Sequence, residues 1–238
     1  MGTTRTRRPL VAIRVGVAVA IVGVVVVLVA VRVADTTKPS GTGADVSSDL
    51  LSDGATGTTV DSVGATKHRG HTGPVLVIGD SLTVGSAEAG LVRLLRADGW
   101  RPEVIAETGQ APKWGIERIA SRATVPPLVI VELGTNPSAA PGTFAVDVKT
   151  MVSALERRGA ERIVWLTPVH SDGLRYLPKV ELLQNVAKSD PKLVLADWAS
   201  IALAHETWFR SDGLHYSSDG FKVLAQFIAD TADTNDPR

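Results

Sequence analysis

Five short apolar runs, each closed by glycine or small polar residues and separated by stretches of helical periodicity, leave this chain few folds to choose from. The runs are Val75–Ile78, Pro102–Ala106, Leu128–Leu133, Arg162–Leu166 and Leu193–Ala196. They have the length of strands and are mostly apolar, and the third is continuous but for Glu132. Between them lie helix patterns. Glu88–Ala97 carries Leu91, Leu94 and Leu95 and stops at Gly99. Trp114–Arg122 sets Ile116 and Ile119 on one face. Phe144–Arg158 carries Val146, Val148, Met151, Val152 and Leu155. Tyr176–Lys188 and a short turn at Ile201–His205 follow, and Ser217 reads as the N-cap of a last helix reaching about Thr231. Strands alternating with helices predict an α/β fold, a parallel sheet with helices on both faces. Ligands of such sheets bind beyond the carboxyl ends of the strands.

That edge collects the chemistry-bearing residues. Ser81, Gly109, Asn136 and His170 each follow a predicted strand, and Asp212 and His215 stand just before the last helix. The stretch from Pro74 to Gly85 sets the pattern: a buried strand breaks at Gly79 and delivers Ser81 to a helix start. Ser81 there is either a nucleophile or a cap. Acyl transfer requires a nucleophile, a base, an orienter for the base and donors for the oxyanion. Ser81, His215 and Asp212 supply the first three. The backbone N–H groups of Ser81 and Gly109 and the side-chain amide of Asn136 supply the oxyanion donors. His170 is either a substrate contact or an ordinary loop histidine. Trp208 and Phe209 either wall a pocket or pack beneath the last loop.

At these residues the sequence resembles the SGNH (GDSL) hydrolase family. Its blocks are matched, in family order, by Gly79-Asp80-Ser81-Leu82, by Gly109, by Gly134-Thr135-Asn136 and by Asp212-Gly213-Leu214-His215. The match spans Pro74 to about Ala232. It departs from the family at Pro137, where an aspartate often follows the asparagine, and in an abbreviated second block, Glu107-Thr108-Gly109. The resemblance implies a three-layer α/β/α fold with a central parallel sheet. It also implies a serine esterase or acyltransferase working without metal or cofactor.

The remainder of the chain is of another kind. Arg5, Arg7, Arg8 and Arg14 precede an apolar run from Val15 to Val31, which as a helix spans roughly 26 Å. Adding Val11 to Ile13 brings it to a bilayer core of about 30 Å. Arginines without acids on the amino side place that side in the cytoplasm. The expectation is a basic cytoplasmic tail at 1–10 and a transmembrane signal anchor at 11–33. A flexible linker at 34–72 and one domain at 73–238 complete it. A cleaved signal peptide is the alternative, but Arg32 spoils the small-x-small site that would end at Ala34. The linker is rich in Gly, Ser, Thr and Asp and reaches roughly 35 Å. Its His68 and His71 read as solvated rather than metal-binding.

Formal charge balances to zero, with 25 Lys and Arg against 25 Asp and Glu, so a nucleic-acid partner has no support. No cysteine is present, which excludes disulfides and thiolate metal sites. The expected protein is thus a single-pass, membrane-anchored, extracytoplasmic serine hydrolase. Its partners are the membrane, through the amino-terminal helix, and an envelope ester of a polysaccharide, glycolipid or lipid. An O-acyltransferase passing the acyl group to an envelope sugar, or a non-catalytic envelope-binding ectodomain, are the alternatives.

Overall fold

A computed structural model of the chain describes residues 73–138 and 142–238. The predicted tail, membrane segment and linker, with His68 and His71, lie outside the described residues. No helix among the described residues is long and apolar enough to cross a membrane.

The five apolar runs form five parallel strands: β1 (Pro74–Gly79), β2 (Arg101–Ala106), β3 (Leu128–Glu132), β4 (Arg162–Leu166) and β5 (Leu193–Ala196). Their order is β2-β1-β3-β4-β5. Successive side chains of a strand point to opposite faces, and the core divides accordingly. Val75, Val77, Leu128, Ile130, Val164 and Leu166 face one layer. Helices α1 (Ser81–Glu88), α2 (Leu91–Ala97), α6 (Trp198–Leu203) and α7 (Ser218–Thr234) supply that layer. Leu76, Ile78, Val129, Val131, Ile163 and Trp165 face the other. There they meet α3 (Pro112–Ala120), α4 (Phe144–Glu156) and α5 (Leu177–Ala187). Both faces are covered, which is why the inner strands β1, β3 and β4 are almost continuously apolar, whereas the edge strand β2 alternates exposed and half-buried residues at its start.

Two helix expectations change in detail. The pattern at Glu88–Ala97 is not one helix, because Gly90 adopts φ +108° and separates α1 from α2. A left-handed φ is open to glycine without steric cost. The expected turn at Ile201–His205 starts earlier, at Trp198, where Asp197 accepts from Ser200 N–H as N-cap. Val146, named among the apolar residues of the Phe144–Arg158 pattern, is exposed. Ser217 does cap α7, its hydroxyl accepting from Gly220 N–H.

The strand order fixes where a site can form. From β1 the chain moves outward to β2, then crosses back to β3 on the other side of β1. The crevice at such a reversal is where open α/β sheets bind ligands. The ends of β1 and β3 meet there, so Gly79–Ser81 and Gly134–Asn136 lie side by side.

Candidate active site

Ser81 is the first residue of α1. The Asp80 carboxylate before it is fully buried and caps the helix, accepting from Leu82 N–H at 3.0 Å. Ser81 N–H belongs to the first turn and so has no carbonyl four residues back. Gly79 allows the bend, since a β-carbon there would lie 1.9 Å from Thr83 Oγ1 and 2.8 Å from Glu132 O.

The histidine comes from a small hairpin before α7. Phe209 and Tyr216 form an antiparallel bridge, and Arg210 N–H donates to His215 O at 2.7 Å. Gly213, at φ +69°, makes the turn. A β-carbon on it would strike Ser171 Oγ and His170 Cε1. This hairpin sets His215 Nε2 3.0 Å from Ser81 Oγ and His215 Nδ1 2.8 Å from Asp212 Oδ2. The other Asp212 oxygen accepts from the N–H groups of Leu214 and His215, each at 2.9 Å. Those bonds, Leu214 N–H first and the His215 ring among them, bring the Asp212 carboxyl down to about 2. Asp212 is therefore ionised at neutral pH and can only accept a hydrogen bond. It fixes the imidazole proton on Nδ1 and leaves Nε2 to accept from the serine hydroxyl.

Asn136 Nδ2 donates to Asp80 Oδ2 at 2.9 Å and to Gln110 O at 3.1 Å, and Thr135 Oγ1 donates to the same Asp80 oxygen at 2.5 Å. Asp80 thus joins the nucleophile turn to the β3 loop. Gly109 adopts φ +79°, and a β-carbon on it would meet nothing within 4 Å. Glycine is needed there for conformation, and the space beside it is open. The residues chosen from sequence are therefore linked. Ser81, His215 and Asp212 form one chain of hydrogen bonds. Asn136 is tied to the residue before Ser81 and to the residue after Gly109.

Other expectations settle differently. His170 is buried, its Nε2 3.2 Å from Asp212 O and its ring edge-on to Tyr176. It lies beneath the Asp212 turn. Trp208 stacks on Trp198 and on His205, and Phe209 packs on Tyr216, so this pair packs beneath the last loop. Sequence reasoning missed Asp80 as the hub. A carboxylate directly before a helix start is an N-cap signal and could have marked it. Among the described residues no group of three or more His, Asp or Glu is placed to hold a metal ion.

A parallel sheet that brings a serine, a histidine and an aspartate together at its switch point, with an asparagine loop beside them, has the fold of the SGNH hydrolases. No family model matches the sequence, and no curated protein pairs with it. Solved structures do. The C-terminal catalytic domain of peptidoglycan O-acetyltransferase A (OatA) from Streptococcus pneumoniae is 23% identical. That match covers 68% of this chain and 94% of that one, with a TM-score of 0.57. The acetylxylan esterase Axe2 from Geobacillus stearothermophilus is 19% identical, covering 67% and 93%, with a TM-score of 0.52. A protein of the G-D-S-L family from Desulfitobacterium hafniense is 20% identical, covering 67% and 99%, with a TM-score of 0.54.

Proposed function

We propose that this protein is a serine hydrolase of carboxylic esters. The observation that carries the reading is the relay from Ser81 Oγ through the His215 ring to Asp212, at 3.0 and 2.8 Å. Ser81 Oγ attacks the ester carbonyl carbon while its proton passes to His215 Nε2. Asp212 stabilises the imidazolium that results. The tetrahedral oxyanion accepts from Ser81 N–H, Gly109 N–H and one Asn136 N–H. For Asn136 this means exchanging the longer bond, to Gln110 O, for the oxyanion. The C–O bond to the alcohol then breaks, and the alkoxide takes the proton from His215. Water, deprotonated by the same histidine, releases the acid and regenerates Ser81.

The substrate class is proposed to be a short acyl ester on an envelope polysaccharide. In support, one neighbour of the fold is an acetylxylan esterase and another a peptidoglycan O-acetyltransferase. The basic, then apolar, amino end of the sequence supports anchoring in the cytoplasmic membrane with the domain outside. A second reading, transfer of the acyl group to a sugar hydroxyl in place of water, is favoured by the O-acetyltransferase neighbour. It uses the same residues up to the acyl-enzyme.

Hydrolysis of p-nitrophenyl acetate and its longer-chain homologues by the full chain tests the proposal. Turnover should fall by at least about a thousandfold in Ser81→Ala and in His215→Ala. Equal turnover in wild type and Ser81→Ala would sink it. With an acetylated donor and an oligosaccharide acceptor present, acetylated oligosaccharide rather than free acetate would select the transferase reading.

A further inference from the structure

Beyond Glu132 the chain leaves the sheet, and its carbonyls need partners outside the strand ladder. Glu132 O accepts from Asp80 N–H at 3.2 Å and Leu133 O from Trp165 Nε1 at 2.8 Å. Two further carbonyls converge on one ammonium. Lys179 Nζ, from α5, donates to Gly134 O and, at 3.2 Å, to Asn136 O. The same ammonium lies 5.2 Å from the centre of the Phe144 ring and 5.1 Å from that of Tyr176. Burial lowers its pKa, with the charge of Asp80 opposing. A half-buried cation spent on two backbone carbonyls of one turn has a task in that turn. A charge-assisted bond is roughly twice as strong as a neutral one, and the two rings add cation–π attraction.

The turn needs such a clamp. Pro137 follows Asn136, so the next residue offers no N–H to tie down. Gly134 sits at φ +138°, where a β-carbon would press on Phe144. The amide of Asn136 can hold Asp80 and Gln110 only if its own backbone is fixed.

We propose that Lys179 is a positioning residue: an ammonium seated between Phe144 and Tyr176 that fixes the Gly134–Asn136 turn and so keeps the Asn136 amide aligned with Ser81. Its kinetic consequence rests on the esterase reading; its structural consequence does not.

The test uses the full chain in detergent with its asparagine side chains isotope-labelled. The sequence has three asparagines, Asn136, Asn185 and Asn235, so an NMR spectrum holds three side-chain amide pairs, and Asn136→Asp identifies one. In Lys179→Met the Asn136 pair should collapse toward the spacing of an unbound amide while the other two stay in place. In Lys179→Arg, whose guanidinium can donate and stack, it should remain apart. Against p-nitrophenyl acetate, kcat should fall about 10- to 100-fold in Lys179→Met, with KM within about twofold and most of the rate restored in Lys179→Arg. An Asn136 pair unmoved in Lys179→Met would overturn the proposal. So would movement of all three pairs together, or equal loss in the two variants. Absence of ester turnover in wild type would count against the esterase reading, and the amide spectrum would still decide the role of Lys179.

Discussion

Glu132 stands at the end of a fully buried strand, 5% exposed, against an Asp80 that is 0% exposed. Two carboxyls so placed cannot both carry charge cheaply. Burial first, then the charge of Asp80 and the hydrogen bond between them, push Glu132 well above its ordinary value of 4.5, against the donation from Thr83 Oγ1. Glu132 is therefore the neutral member, and it braces the cap of the nucleophile helix. The sign of the pH effect follows. A group whose folded pKa is raised contributes stability that is complete below its unfolded pKa and is lost as pH rises through the folded one. Wild type should thus lose stability above about pH 4.5 through this group. Glu132→Gln keeps the shape, a donor for Asp80 and an acceptor for Thr83, and removes the titration. The difference in urea midpoint between variant and wild type should widen in favour of the variant from about pH 5 to about pH 9. A constant difference across that range would show that Glu132 is ionised in the folded protein. The sequence marks Glu132 as an anomaly inside an apolar run. Its partner is invisible there, because Asp80 is 52 residues away and only the β1–β3 pairing brings Gly79 and Glu132 into register.

At the scale of elements, the junction of β1 and α1 carries the largest steric demand. A side chain at Gly79 would overlap Thr83 Oγ1 at 1.9 Å, Thr83 Cβ at 2.6 Å and Glu132 O at 2.8 Å. Rotation of the threonine relieves only the first of these. Gly79→Ala should therefore lower the stability by on the order of 1–3 kcal/mol, read as a lower urea midpoint at unchanged slope. A midpoint equal to wild type would mean that the strand end can shift without cost. The elements themselves were legible because their signals are local. Apolar runs give β4 and β5 their limits, and Ser217 announces α7. The break at Gly90 was not legible, since Leu91, Leu94 and Leu95 all follow it and their helical spacing carries no mark of where the helix begins. The site was legible as a set of residues at strand ends. Its connections were not: the Asp80 hub and the Lys179 clamp depend on contacts 43 to 56 residues apart in sequence.

For the whole molecule, the covering of both sheet faces has a consequence for how the domain relates to the rest of the chain. Helices α1, α2, α6 and α7 close one face and α3, α4 and α5 the other, and β1 begins at Pro74. A core closed in this way predicts that the domain folds without residues 1–72. The basic and apolar segments before residue 34 can then act purely as an address, and the polar stretch after them as a spacer. Two preparations separate these parts. The full chain should sediment with membranes and resist extraction by high salt, because about twenty apolar residues hold far more strongly than surface charge. A fragment of residues 73–238 should be soluble, unfold in one cooperative transition, and hydrolyse p-nitrophenyl acetate with the kcat and KM of the full chain. A fragment that folds but loses turnover would mean that the amino-terminal segments complete the site. A full chain recovered from the soluble fraction, shortened at its amino end, would mean that the apolar segment is a signal that is removed. The domain would then diffuse free of the membrane, and the proposed confinement of its substrate to within about 35 Å of the bilayer, a linker's reach, would fall with the anchor.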